Sequence, residues 1–224
     1  MKKSIFIFFV SLTFGAKLSF SQEMLGVEKG GLDIGFDMSR IGILMFEDDR
    51  KAWEFSLDLQ LNQKLYLATE IGFQKVAGRN EANYLYDSRG YYATLGIDRL
   101  FFDLNKEGDN DVLYGGLRYG FSSMYQEAGF TIEDEVFGSL QNSMSERVST
   151  HWLEAVFGVK VETLKNLFLG ISTRAQFGLI LPKQDKVPHY LHAGYGNASN
   201  RLNVGFTYSV YYRIPMYKIK QPSK

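Results

Sequence analysis

Cysteine is absent from the 224-residue chain, which excludes a disulfide framework, a thiol nucleophile, thiolate zinc sites and a lipid-modified cysteine. Proline is scarce, at 4 residues, whereas 22 glycines and an aromatic content of 15% suit strands and tight turns better than helices. Neither sign of charge is in excess: 25 basic and 25 acidic residues give a formal net charge of +0, so no basic surface for nucleic acid is indicated. Long apolar runs are missing beyond the N-terminus. The longest, residues 167–171 and 177–181, fall far short of the ~20 residues a membrane helix needs.

What is present begins with Met1, Lys2 and Lys3, then an apolar stretch over residues 5–14 broken only by Ser11 and Thr13. Ser19 and Ser21 place small side chains at the minus three and minus one positions of a cleavage site. This is the pattern of a secretory signal peptide, and it divides the chain into residues 1–21, removed on export, and a single mature domain, residues 22–224. Loss of Lys2, Lys3 and Lys17 leaves 22 basic against 25 acidic residues, a mature net charge of −3.

The mature chain is patterned with a period of two. Trp53, Phe55, Leu57, Leu59 and Leu61 alternate with Glu54, Ser56, Asp58 and Gln60, and after Asn62-Gln63-Lys64 the alternation resumes from Leu65 to Phe73. Two alternating runs joined by a short polar break form a hairpin. The pattern recurs around residues 32–38, 91–98, 113–122, 153–162, 167–177 and 202–213, which makes eight strands. Their second face mixes charges with glycines, as a narrow wet lumen requires. Connections run long, short, long, medium, long, short, long, with the short ones at 62–64 and 164–166 and the long ones near 39–51, 76–90, 126–150 and 182–200. Short turns at one end and long loops at the other are the layout of an up-and-down antiparallel transmembrane β-barrel with both termini on the periplasmic side. A soluble sandwich also alternates, but lacks that asymmetry of connections.

Several segments carry a family likeness: Tyr114-Gly115-Gly116-Leu117-Arg118-Tyr119-Gly120-Phe121-Ser122, His151-Trp152-Leu153-Glu154 with Gly158-Val159-Lys160, Lys165-Asn166-Leu167-Phe168-Leu169-Gly170, Pro188-His189-Tyr190 and Tyr212-Arg213-Ile214-Pro215. The chain resembles the outer-membrane β-barrel families of unknown function in Gram-negative bacteria. That resemblance implies an outer-membrane location and a small barrel without a lipid anchor, and no activity. Many such barrels end on an aromatic residue read by the assembly machinery, whereas this chain continues past Pro215 into a basic tail, residues 216–224.

Candidate chemistry is sparse. Asp33, Asp37, Glu54, Asp58, Glu70, Asp98, Glu154 and Glu162 are expected to share the lumen with Arg118, Lys160, Arg174 and Arg213 as ion pairs, because an unpaired buried charge is costly. Gly35, Gly72, Gly96, Gly116, Gly120, Gly158, Gly170 and Gly205 are expected to make room for long side chains there. Ser149, His151 and Glu154 could form an acyl-transfer set, but His151 and Glu154 have opposite strand parity. His189 and His192 share a loop without enough further ligands for a metal, and Asp103 to Asp111 has part of a calcium-loop spacing but Tyr114 where the closing Glu belongs. The acidic segment 126–150, with Phe130, Ile132, Val136 and Phe137, suggests an extra hairpin above the membrane.

The sequence therefore assigns no catalytic, cofactor-binding or metal-ligating residue. It points to a non-enzymatic outer-membrane barrel serving envelope structure or surface interaction. Its partners are the lipid bilayer, the barrel-assembly machinery and an unidentified surface ligand, without nucleic acid. A lipid-modifying enzyme on the same scaffold, or a narrow channel, are the alternatives.

Overall fold

The computed structural model describes residues 29–62, 64–81, 84–103, 111–134, 138–182, 191–197 and 199–218. The signal segment, His189, the interior of the 103–114 stretch and the end of the basic tail lie outside these residues. Seven strands come first: β1 (Lys29–Asp37), β2 (Arg50–Asn62), β3 (Leu65–Glu81), β4 (Tyr84–Asp103), β5 (Val112–Asp134), β6 (Gly138–Leu164) and β7 (Leu167–Ile180). A short helix, α1 (Ser39–Phe46), joins β1 to β2, and two-residue strands β8 (Leu191–His192) and β9 (Gly196–Asn197) precede β10 (Leu202–Lys218). Strands β1 to β7 and β10 pair as sequential antiparallel neighbours, and β1 closes on β10, giving an eight-stranded barrel. No helix among the described residues is long and apolar enough to cross a membrane, which says nothing about crossing by strands.

Polarity is inverted relative to a water-soluble barrel. Leu117 and Phe206 are exposed on the outside, at 72% and 74%, while Asp33 and Glu154 are fully buried inside. Eight strands leave an interior only wide enough for side chains, so bulky groups there need glycine opposite them. At Gly120 an added Cβ would strike the Trp152 indole, and at Gly72 the Tyr92 ring. The β6–β7 turn is only Lys165-Asn166, and Asn166 adopts φ 65°, a left-handed conformation that Asn tolerates.

The two ends of the barrel differ from the sequence reading in three respects. The described parts of segments 76–90 and 126–150, residues 76–81, 84–90, 126–134 and 138–150, are strand, not loop: β4 pairs with β5 out to Tyr84↔Phe130 and β5 with β6 out to Asp134↔Gly138. The expected extra hairpin is thus the continuation of β5 and β6, and the strand number stays at eight. Beyond the lipid there is no apolar outside to set against a polar lumen, so clean alternation disappears although pairing continues. This extension has its own small core of Val76, Tyr86 and Ala128, with Tyr84 and Phe130 packed against it. Segment 39–51 contains α1, whose start is capped by Asp37: its Oδ1 accepts from the Ser39 N–H at 2.8 Å and the Ser39 hydroxyl at 2.6 Å. At the other end of the barrel, residues expected to begin the tail instead prolong β10 to Lys218, paired with Lys29.

Candidate functional site: a closed, ion-paired lumen

The period of two aims alternate residues of every strand at the barrel axis, and the expected lumen charges meet there. Near the end where β1 begins and β10 finishes, Lys160 Nζ lies 2.5 Å from Asp58 and 3.4 Å from Asp33, and Arg213 donates to both Asp33 oxygens at 2.7 and 2.9 Å. The ammonium also sits 4.1 Å from the Tyr211 ring centroid, with Tyr66 and Tyr114 further out, so aromatic faces take up what the carboxylates leave. A cavity of ≈ 10 Å³ remains beside these groups, about the space one water needs.

Midway along the axis, Arg118 reaches Asp98 at 2.7 Å and Glu70 at 2.5 Å. Arg174 bridges Glu70 and Glu54, each at 3.0 Å. Toward the outer end Glu54 also accepts from Arg40 at 2.8 Å and from the Tyr92 hydroxyl, and Arg40 pairs with Asp37 at 3.2 Å. Arg40 comes from α1 rather than from a strand. The sequence reading missed it because an eight-residue helix gives too little periodicity to orient a side chain. Glu162, expected in this set, lies only half-buried at the inner end, where its carboxylate accepts the Asn166 N–H at 2.8 Å.

The outer mouth is filled by the segment carrying β8 and β9. Gln176 donates to the Gly194 carbonyl and to Glu154, both at 2.7 Å; His192 is fully buried with its Nδ1 against the Thr150 hydroxyl. Tyr195 stacks in tilted fashion on Trp152, 5.7 Å between centroids, in a cluster with Tyr92 and Ala193. Ion pairs, rings and this plug crowd the interior between the described strands.

The acyl-transfer set is not assembled. Glu154 points into the lumen, whereas His151 points outward, its Nδ1 against the Tyr119 hydroxyl and its ring 5.0 Å from that of Phe121. Among the described residues, which include His192 but not His189, no group of three or more His, Cys, Asp or Glu side chains could hold a metal ion.

No curated protein matches the chain. Among solved structures, that of Ail, the attachment invasion locus protein of Yersinia pestis, aligns with TM-score 0.42 and 14% identity over 84% of this chain and 100% of Ail. The N-terminal β-barrel domain of Pseudomonas aeruginosa OprF aligns with TM-score 0.37 and 11% identity over 83% of this chain and 98% of that domain. The match that spans the chain is to a family model covering residues 2–219, so this inside-out barrel with its ion-paired lumen belongs to the family described as a domain of unknown function, DUF6048.

Proposed function

We propose that the protein is an integral outer-membrane barrel that conducts no solute, catalyses no reaction and works through the sheet it raises above the membrane. One observation carries the membrane placement. The outward face of the strands is apolar while the carboxylates and guanidiniums are buried, an arrangement stable only where the outside solvent is hydrocarbon. Strand length supports the orientation. A tilted strand crosses the apolar layer in about 10 residues, yet β5 has 23 and β6 has 27, whereas β7 ends at Ile180 opposite His151. The surplus of β3 to β6 lies at the end with the longer connections, away from both termini, and serves surface interaction. Insertion then falls to the barrel-assembly machinery after export with the signal segment.

Fractionation of cells, followed by gel migration of boiled and unboiled samples, tests the barrel. A protein that stays with the membrane and migrates differently after boiling supports it; a soluble protein without a shift refutes it. Liposome swelling tests closure, and flux of a small sugar would overturn it. Deleting residues 128–144 should leave the heat-dependent shift intact while removing whatever surface phenotype the protein confers.

A further inference from the structure

Five adjacent strands carry an unusual row at the outer edge of the apolar band. Following the register, Lys51 lies opposite Lys75, Lys75 opposite Arg89, Arg89 opposite Tyr125, and Tyr125 opposite Arg147. The four cations are exposed on the outward face, and the Arg89 guanidinium lies 5.6 Å from the Tyr125 ring centroid. Strands are spaced by about 4.8 Å, so Lys51, Lys75 and Arg89 fall within roughly 10 Å of one another. Like charges placed directly opposite on neighbouring strands destabilise a sheet. Among the described residues none of the four has a carboxylate within ion-pair distance, whereas nearby Arg50 and Arg79 both pair with Glu47. The next row outward has Asp87 and Glu127 opposite each other, and Asp87 accepts the Gly78 N–H instead.

The rows beneath fix the depth. Directly toward the membrane centre from the cations come Trp53, Phe73 and Tyr91, again register neighbours, with Phe73 and Tyr91 at 5.0 Å. Next come Phe55 and Ile71, both exposed. Apolar, aromatic, cationic is the order met on passing from hydrocarbon through the interface to the headgroups.

We propose that the Lys51–Lys75–Arg89–Arg147 row binds the phosphates of a phosphorylated lipid in the leaflet on the long-connection side of the membrane. Several unpaired cations side by side call for a polyanion, and Arg and Lys are suited to phosphate. Contact with the aromatic row favours a lipid over a soluble anion, since acyl chains can run down over Phe55 and Ile71 while the headgroup meets the cations. The proposal rests on the membrane placement above.

The test uses the full-length mature chain in nanodiscs of phosphatidylcholine, with bisphosphorylated lipid A added and Trp53 emission followed. Trp53 lies two residues from Lys51, on the same face, whereas Trp152 is fully buried. Heat-dependent migration of each variant is checked first, so a failure of the barrel itself is read separately. The triple variant K51Q/K75Q/R89Q is expected to fold at least as well as the wild type, because it relieves like-charge opposition. Its affinity should fall roughly 100-fold, about fivefold per charge. K51R/K75R should retain binding, and K165Q, at the periplasmic turn, should not alter it. Dephosphorylated lipid should fail to bind, and inorganic pyrophosphate should not compete. Wild-type affinity in the triple variant, or equal binding of the dephosphorylated lipid, overturns the proposal. Full competition by pyrophosphate also overturns it, by assigning the row to a soluble polyanion.

Discussion

Replacing Lys160 by methionine measures what one buried cation contributes to the lumen. Lys160 is the one cation within ion-pair distance of Asp58 among the described residues, and Asp58 Oδ1 has no hydrogen-bond partner of its own. Both side chains are at least 95% inaccessible, at 5% and 4% exposure. The substitution therefore leaves the Asp58 carboxylate buried and unpaired, which costs about 3–5 kcal/mol. Asp33 suffers much less, because Arg213 holds both of its oxygens. Methionine nearly matches the volume of the lysine stem, so packing against Tyr211 is largely kept and the electrostatic effect dominates. Urea titration of the folded protein in lipid vesicles, followed by Trp152 fluorescence, reads the change. At a slope near 2 kcal/mol/M the midpoint should fall by roughly 1.5–2.5 M. The companion K160M/D58N removes the stranded charge and should recover most of that loss, so the pair shows strong positive coupling in a double-mutant cycle. If K160M alone matches the wild type, or the double variant is no better than K160M, the ion-paired lumen is not what holds this end together.

Gly120→Leu should abolish or sharply reduce the heat-stable folded form, since any Cβ there meets the Trp152 indole, whereas Gly42→Ala in α1, with open space around it, should be neutral or stabilise by about 0.5–1 kcal/mol in the same titration. Gly194→Ala combines a strained φ of +74° with contact on the Tyr92 ring; it should displace the plug and make Trp152 accessible to acrylamide quenching. Asp49, in the α1–β2 connection outside the spanning strands, is hydrogen-bonded by Arg79, which holds its carboxyl below the usual carboxylate range. A lowered folded-state pKa means the pairing contributes fully above the usual Asp value and is lost as pH falls through the lowered one. Amide exchange at Ala77, whose N–H donates to the Asp49 carbonyl at 2.8 Å, should accelerate over that acidic window, and Asp49→Asn should remove the pH dependence. An unchanged profile in Asp49→Asn would refute the assignment.

Much of the barrel can be read from residue order, because a membrane strand between lipid and lumen must alternate. Trp53 to Leu61 against Glu54 to Gln60 announces which side chains turn inward before any partner is known. Glycine marks the same face, since a narrow interior cannot hold two bulky neighbours. Where one side of that contrast vanishes, the reading fails. The prolonged β5 and β6 have water on the outside, so their polar outward residues look like loop. Arg40 and the plug residues Ala193 and Tyr195 enter the barrel from segments with no usable period.

Alternation and composition thus determined the strand number, the inversion of polarity and the identity of nearly every lumen charge, since those depend on local spacing alone. Which charges meet was decided only in three dimensions. Asp33 is joined to Lys160 across 127 residues and to Arg213 across 180, and the cationic row exists only because register sets Lys51, Lys75 and Arg89 side by side. Register and closure are properties of the whole sheet: the shear that brings β1 onto β10 sets every cross-lumen pair at once, and no single strand encodes it.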